Sequence, residues 1–185
     1  MEQPLVLLVS FLLVSLCRGQ SLCSNETCPK YEVCDKNEDF EMRSYGETEW
    51  LTTKVDNSAI WDAHLRLKDY CNKQKEAGYI IRDDTWPVLL TQGPDGCTLS
   101  WFVPPNTEKP KTLDELVTFE TKPAGIYYVK VFGGFPSLAS GQTTKEQLCA
   151  VLDKALKTYD HNSFSGAGYE PYLSITHHNE VWIHA

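Results

Sequence analysis

An internal repeat is the feature that most limits how this chain can fold. Residues 40–46 read FEMRSYG and residues 119–125 read FETKPAG, so Phe, Glu, a cation and Gly recur in the same order and at the same spacing. Each copy is followed by a helical pattern, an Ala-Gly-Tyr triplet and a strand that contains Trp101 or Trp182. Self-similarity of this kind marks one supersecondary unit used twice. The repeat therefore predicts an α+β fold of two pseudo-symmetric β-α-β-β halves that share one sheet system.

Apolar residues at helical spacing predict one helix in each half. The first runs from about residue 59 to residue 71, and Asn57 or Ser58 can cap it. Thr143 or Thr144 can cap the second helix, with Glu146 or Gln147 in the capping-box position. The apolar face of the second helix consists of Leu148, Val151, Leu152, Ala155 and Leu156.

Runs of β-branched and aromatic residues, bounded by Gly and Pro, predict the strands. The turn sequence at residues 91–96 predicts a hairpin between residues 88–90 and 97–103. The other predicted strands lie within residues 40–55, 79–82, 85–90, 118–135 and 179–184.

Length and charge limit the class of protein. The chain has 185 residues, which is enough for one sizeable core, and the two copies interlock better as one domain than as two. Its formal net charge is -8 at pH 7, and the sequence contains no run of Lys or Arg. Binding to nucleic acid or to an anionic membrane needs clustered cations, so we expect neither as a partner.

The N-terminus has the pattern of a secretory signal peptide. Residues 5–16 are an almost unbroken apolar run, shorter than the ~20 residues that a membrane-spanning helix needs. Small residues follow, which predicts cleavage after Gly19 or Gln20. We therefore expect a signal peptide at residues 1–19, a Cys-rich arm at residues 20–39 and a folded domain at residues 40–185 of a secreted, extracellular protein.

Removal of the signal peptide would leave an even number of cysteines, which favours disulfides in an exported chain. Spacing cannot choose among the fifteen pairings that six cysteines allow. Asn25 begins a glycosylation sequon in the same arm. The disulfide candidates are Cys23, Cys28, Cys34, Cys71, Cys97 and Cys149.

Catalytic signatures are missing from the sequence. It has no Gly-x-Ser-x-Gly elbow, no phosphate-binding Gly-rich loop and no His-Glu-x-x-His helix, so we expect no enzyme activity. Cys28-Pro29 could ligate haem iron through a thiolate, but a disulfide is the stronger interpretation. His177 and His178 are adjacent in a strand and point to opposite faces, so surface histidines are favoured over a metal pair.

His64 is the histidine with the most informative surroundings. Its neighbours on the predicted helix combine an apolar floor, an aromatic wall and a cation, which suits a flat apolar ligand with anionic groups and a metal centre. The alternative is a histidine at the edge of the core with no ligand. The candidate site and metal ligand are thus His64 with its neighbours Ile60, Trp61, Leu67 and Lys68.

The chain resembles the SOUL/haem-binding protein family over residues 31–183, because several short motifs occur in the order that is typical of that family. The motifs are Phe40-Glu41-x-Arg43-x-Tyr45, the helix end at 65–70, Pro87-Val88, Trp101-Phe102-Val103-Pro104, Val131-Phe132-Gly133-Gly134, Gly168-Tyr169 and Asn179-Glu180-Val181-Trp182-Ile183. The resemblance implies a distorted antiparallel β-barrel with two flanking helices. It also implies binding of haem or free porphyrin in an apolar cleft beside the first helix.

This chain departs from the family pattern in ways that bear on the ligand. His177 and His178 stand where two arginines usually precede the Asn-Glu-Val-Trp motif, and Thr85-Trp86 stands where Met-Thr is frequent. We expect a secreted, non-covalent tetrapyrrole carrier or scavenger. The alternative is an extracellular protein-interaction module whose barrel has lost its ligand and which binds a protein partner.

Overall fold

The structure is a computed structural model that describes residues 27–56, 59–110 and 114–185. The signal-peptide run, the Cys23 disulfide candidate, the Asn25 sequon and the Asn57 and Ser58 caps lie outside these residues.

Nine strands and two helices form within the described part of the chain. In order they are β1 (Tyr31–Lys36), β2 (Glu41–Tyr45), β3 (Thr48–Val55), α1 (Ile60–Glu76), β4 (Val88–Gly93), β5 (Gly96–Val103), β6 (Val117–Lys122), β7 (Gly125–Gly133), α2 (Leu138–Lys154), β8 (Phe164–Gly168) and β9 (His178–His184).

The strands form one antiparallel sheet in the order β1-β2-β7-β9-β8-β4-β5-β3-β6. Apart from β1, this order reads as two equivalent sets that meet where β8 pairs with β4. The first strand of each half pairs with the second strand of the other half, because β2 pairs with β7 and β6 pairs with β3. The predicted α+β fold with two pseudo-symmetric halves is confirmed. Each half has two strands before its helix, where the repeat predicted one. The sheet remains open at β1 and β6, as in a distorted barrel.

Alternation along the strands divides the core into three clusters. The inner face of the curved sheet carries Tyr45, Trp50, Leu89, Phe102, Val129, Ala167 and Trp182. The opposite face is covered by α1 over the first half and by α2 over the second half. Each helix therefore buries its own stripe, while the two halves share only the inner cluster.

Helix α1 is longer than the apolar pattern predicted. It continues past Cys71 to Glu76 through residues that favour helix but carry no apolar stripe. Its last residue is Glu76, and Gly78 follows with a φ of 95° in the left-handed region. The Tyr79 N–H donates back to the Gln74 carbonyl at 2.9 Å. The following residues 79–82 are not a strand, so that prediction is wrong.

Helix α2 begins earlier than predicted. Ser137 caps it, with a reciprocal hydrogen bond to Ser140, so the Thr143 and Thr144 caps are wrong. Leu148 and Leu152 are buried as expected. The helix ends at Lys154, so neither Ala155 nor Leu156 extends the apolar face. Leu156 has a φ of 53° and is exposed.

A buried ion pair joins β2 to β9. The two terminal nitrogens of the Arg43 guanidinium donate to the two carboxylate oxygens of Glu180, each at 3.0 Å. The side chains are 4% and 1% exposed. Three further donors meet the same carboxylate, namely the Tyr169 hydroxyl, the Trp182 indole and a ring nitrogen of His178. The Glu180 carboxylate is fully hydrogen-bonded, as a buried charge must be.

This arrangement shifts the pKa values of Glu180 and Arg43. Burial by itself raises the pKa of Glu180, but the hydrogen bond from His178, the charge of Arg43 and the other donors outweigh it and lower that pKa to about 2. In the same way, Glu180 raises the pKa of Arg43 against the opposing effect of burial. Both groups are therefore charged at neutral pH, and neither can be removed without leaving a buried charge.

The cysteines correct the prediction of three disulfides. Cys28 is disulfide-bonded, which also removes it as a thiolate ligand for iron. Cys34, Cys71, Cys97 and Cys149 are free thiols. They lie on separate elements, β1, α1, β5 and α2, and two of them belong to different helix-covered clusters. An even count of cysteines therefore does not predict their pairing here, because the fold places these four thiols on separate strands and helices.

The free thiols should differ in their reactivity. Cys34 is exposed on β1, whereas burial raises the pKa of Cys71 to about 12. Because the thiolate is the reactive form, we expect Ellman's reagent to modify Cys34 first and Cys71 only on unfolding. The Cys34→Ser variant, as a control, should lose the fast phase alone. Absence of reactive thiols in denaturant without reductant would contradict these assignments.

Removing the Glu180 charge should destabilise the fold. Glu180→Gln leaves Arg43 buried beside a neutral amide, and breaking a buried pair in this way costs about 3–5 kcal/mol. Urea unfolding measures the change. Glu41→Gln is the control, because this partly exposed carboxylate also contacts Arg43, and it should cost about 1 kcal/mol or less. Equal costs for the two variants would show that the Arg43–Glu180 pair has no special role.

Candidate functional site

The outer surface of α1 presents an aromatic and apolar patch. Trp61 is 62% exposed and Leu65 is 40% exposed, and the half-buried His64 lies between them on the helix. Residues three and four apart on a helix are neighbours on its surface. We call Trp61, His64, Leu65 and Lys68 the α1 patch.

His64 is held between two indoles. Its ring stacks on Trp61 with centroids 5.3 Å apart and an interplanar angle of 18°. The buried Trp101 of β5 meets the same ring edge-on, with centroids 5.2 Å apart. Contacts on the face and on the edge fix the orientation of the imidazole. Within the described residues, no hydrogen bond engages its ring nitrogens.

The electrostatic surroundings keep His64 neutral. Burial lowers its pKa from the ordinary histidine value, and the nearby Lys68 ammonium lowers it further against the opposing carboxylate of Asp83. A neutral imidazole has a nitrogen lone pair that can bind a metal. His64 is thus an oriented nitrogen donor at the edge of the core.

The structure separates the predicted site residues into two groups. Trp61, His64 and Lys68 lie together at the surface. Ile60 is half-buried against the cluster beneath α1, and Leu67 is fully buried in that cluster at 0% exposure. Leu67 therefore supports the patch from below and offers no surface to a ligand. Leu65, although apolar, lies on the exposed side of the helix.

A buried donor lies directly beneath the patch. The Nε1 atom of Trp101 has no hydrogen-bond partner among the described residues, although its ring touches His64. Leaving a buried donor unpaired costs free energy. Such a donor is one of the exceptions that mark strained or functional places in a structure.

The described part of the chain contains no cluster of metal ligands. No group of three or more His, Cys, Asp or Glu side chains is placed to hold a metal ion there. His178 hydrogen-bonds to Glu180 at 2.9 Å, whereas the His177 ring packs on Phe135. His64 is therefore the one nitrogen donor that the α1 patch would offer to a metal.

The sequence motifs of β2 and β9 contact each other in the structure, and the sequence analysis does not predict this contact. Inside the sheet Arg43 meets Glu180. Beside them the rings of Tyr45 and Trp182 pack at a tilt of 34°, with centroids 4.9 Å apart. Their alternation in each strand could have shown that Arg43 and Glu180 face the core. No local pattern could show that they face each other, because 137 residues separate them.

None of the described helices is both long and apolar enough to cross a bilayer.

Comparisons with known proteins match most of the chain. The family model described as SOUL heme-binding protein matches residues 26–184. The chain is 27% identical to heme-binding protein 2 of Homo sapiens over 158 residues, which cover 78% of this chain and 77% of that protein. It is 29% identical to heme-binding protein 2 of Mus musculus over 163 residues, with the same coverage.

One similar solved structure is a bacterial protein from Staphylococcus aureus MU50, described as a transcription regulation protein. It covers 80% of this chain and 98% of its own chain, with 15% identity and a TM-score of 0.45. That likeness carries no functional information. The match of the family model over nearly the whole described chain has a plain consequence: this protein belongs to the SOUL heme-binding protein family.

Proposed function

We propose that this protein is a secreted, non-covalent carrier or scavenger of haem or free porphyrin, and that it has no enzyme activity. Membership of the family supports tetrapyrrole binding. The observation that carries the choice of site is the oriented, neutral His64 beside the exposed rings and side chains of the α1 patch.

The α1 patch has the chemistry that a metalloporphyrin needs. Trp61 and Leu65 offer apolar surface to the face of a macrocycle, and burial there stabilises the complex by about 25 cal/mol per Å². His64 can donate its nitrogen to iron, which sets the orientation of the ring. Haem supplies the iron and the flat apolar surface, and this chain supplies the donor and the platform.

Charge decides where the acidic groups of the ligand lie. A chain with net charge -8 repels the two propionates of haem at long range. Lys68 is exposed on the same helix face as His64 and gives a local cation for one propionate. Free porphyrin keeps the apolar and propionate contacts and lacks only the iron bond.

A second candidate function is protein interaction, which a separate surface favours. Phe135 and Tyr172 pack edge to face with centroids 4.5 Å apart, and both are more than half exposed. Leu173 and Ile175 are almost fully exposed in the same loop between β8 and β9. Clustered exposed apolar residues are typical of binding surfaces. If no tetrapyrrole binds, an extracellular protein partner for this loop becomes the better function.

Replacing the iron ligand should separate haem from porphyrin binding. We expect His64→Ala to change the Soret band of the haemin complex and to weaken haemin binding on the order of tenfold, about 1.4 kcal/mol. Binding of protoporphyrin should change little, because the apolar platform remains. Absorbance titration with both ligands measures this.

The matched control for this variant is His161→Ala. His161 is an exposed histidine whose ring packs on an aromatic ring, that of Tyr159, but it lies in the other half of the fold. This variant should bind haemin as the wild type does. An unaltered haemin spectrum in His64→Ala would exclude His64 as the ligand.

Acid should release the iron bond only below the ordinary histidine range. A protonated imidazole cannot ligate, so ligation is lost as pH falls through the pKa of His64. Burial lowers that pKa, so the transition should lie below about pH 6.5. The Soret band of the haemin complex, followed from neutral to acidic pH, gives the midpoint. Loss of the band above that pH would contradict the assignment, and His64→Ala should show no such transition.

Secretion should be visible in the processed chain. The apolar run at residues 5–16 and the Asn25 sequon motivate this proposal. We expect protein from a eukaryotic secretory host to begin at Gln20 or Ser21 and to carry a glycan on Asn25. Intact mass spectrometry before and after glycosidase treatment tests both points. A chain that still begins at Met1 would exclude export by this signal.

A further inference from the structure

The repeat places two cations at equivalent positions inside the sheet. Arg43 in β2 and Lys122 in β6 occupy the same place in the repeated motif. Both strands pair across to the other half of the fold, with Arg43 opposite Tyr127 and Lys122 opposite Thr48. Both positions belong to the face of the sheet that carries the shared inner cluster. Pseudo-symmetry therefore predicts the same surroundings for the two cations.

Their surroundings differ in one residue. Arg43 pairs with Glu180, which lies opposite Val131 on the strand beyond β7. The corresponding position on the strand beyond β3 is Ser100, which lies opposite Thr52. The Ser100 hydroxyl is already hydrogen-bonded to Thr52 at 2.9 Å. The second cation thus lacks the carboxylate that the first one has.

No carboxylate contacts Lys122 within the described residues. No Asp or Glu oxygen lies within 4.0 Å of its ammonium there. The acidic residue that acts on it from farther away is Glu120, which is exposed two residues earlier in the same strand. Burial lowers the pKa of Lys122, and the charge of Glu120 opposes this only in part. The ammonium is therefore partly withdrawn from water without a protein counter-charge beside it.

Lys122 lines a narrow cleft between the two halves. The cleft encloses about 30 Å³. A water molecule needs about 10–15 Å³ of such space, so the cleft holds one or two bodies of that size and excludes an organic ring. The lining residues are Tyr45, Thr48, Trp50, Leu89, Lys122, Pro123, Tyr127, Ser165 and Trp182.

The polar groups that line this cleft can act as hydrogen-bond donors. None of the lining residues is Asp or Glu. The Tyr127 hydroxyl makes no hydrogen bond within the part of the chain that the structure describes. The Thr48 hydroxyl accepts the indole N–H of Trp50 at 2.9 Å, so its own proton can be donated elsewhere. The edges of aromatic rings carry partial positive charge. The cleft therefore suits an anion better than a cation or a neutral molecule.

We propose that this cleft binds one chloride ion, held by the Lys122 ammonium and by the hydroxyls of Tyr127 and Thr48. A monatomic anion combines a full negative charge with a size close to that of water. Sulfate and organic acids need more space than the cleft encloses. The chloride ion takes at Lys122 the place that the Glu180 carboxylate takes at Arg43. The net charge of -8 repels anions at long range, but physiological salt screens this repulsion beyond about 8 Å.

Chloride NMR linewidths test the proposal on the intact protein without haem. Bound chloride tumbles with the protein, so exchange with a binding site broadens the line of free chloride. We expect saturable broadening in sodium chloride, with the ionic strength held constant by sodium gluconate, and we expect sodium bromide to reverse it by competition. Sodium sulfate should not reverse it, because sulfate is too large for the cleft.

Replacing the cation tests the assignment of the residue. Lys122→Met keeps the length of the side chain and removes the charge. It should weaken chloride binding at least about tenfold, because a hydrogen bond from a charged group is lost. Lys54→Met removes an exposed lysine on the neighbouring β3 and changes the net charge equally, so this control should behave as the wild type does. Circular dichroism of each variant confirms that it is folded.

Three results would overturn the proposal. Absence of saturable broadening in the wild-type protein would show that water alone solvates Lys122, and this result needs no variant. Reversal by sulfate as readily as by bromide would exclude a site of this size. Equal broadening in Lys122→Met and in the wild type would exclude Lys122. Haemin binding by Lys122→Met should be unaffected, because the α1 patch lies on the opposite face of the sheet, so either site can fail without the other.

Discussion

The rest of the structure depends on the buried pairing of Arg43 with Glu180. The two residues belong to opposite halves of the chain, and their contact fixes β2 against β9 on either side of β7. A charge at that depth is tolerated only with its partner and its full set of hydrogen bonds. The pair therefore fixes the position of β2 in the sheet, because separating Arg43 from Glu180 would leave a bare charge in the core.

Duplication gives the shared interior of this fold two equivalent cation positions, Arg43 and Lys122, and their surroundings differ. At the first position, Glu180 neutralises Arg43, and Tyr169, Trp182 and His178 complete the network. At the other, the equivalent carboxylate is replaced by Ser100, and a cleft remains beside Lys122. A symmetric backbone thus carries an asymmetric charge distribution.

Helix α1 has a buried side that packs against the core and an exposed side that carries the α1 patch. The inward side of α1 buries Leu67 and Tyr70, and the outward side exposes Trp61 and Leu65 with His64 at the boundary. Because the ring of His64 also touches the buried Trp101, the surface patch is in direct contact with the packed core. This arrangement holds a donor in place without a rigid loop.

The sequence by itself determined the duplication, the α+β class, the helix faces around Leu67 and Leu148, and the grouping of Trp61 and His64, because these depend on local periodicity and propensity. It placed the start of α2 at Thr143 or Thr144, whereas the helix is capped by Ser137, because an N-cap serine without an apolar stripe beside it carries little local signal. Its disulfide prediction was wrong for four cysteines, since counts carry no distances. Only the tertiary structure decided which strands exchange, that Arg43 meets Glu180 and that Lys122 has no such partner among the described residues, because those contacts join residues far apart in the chain.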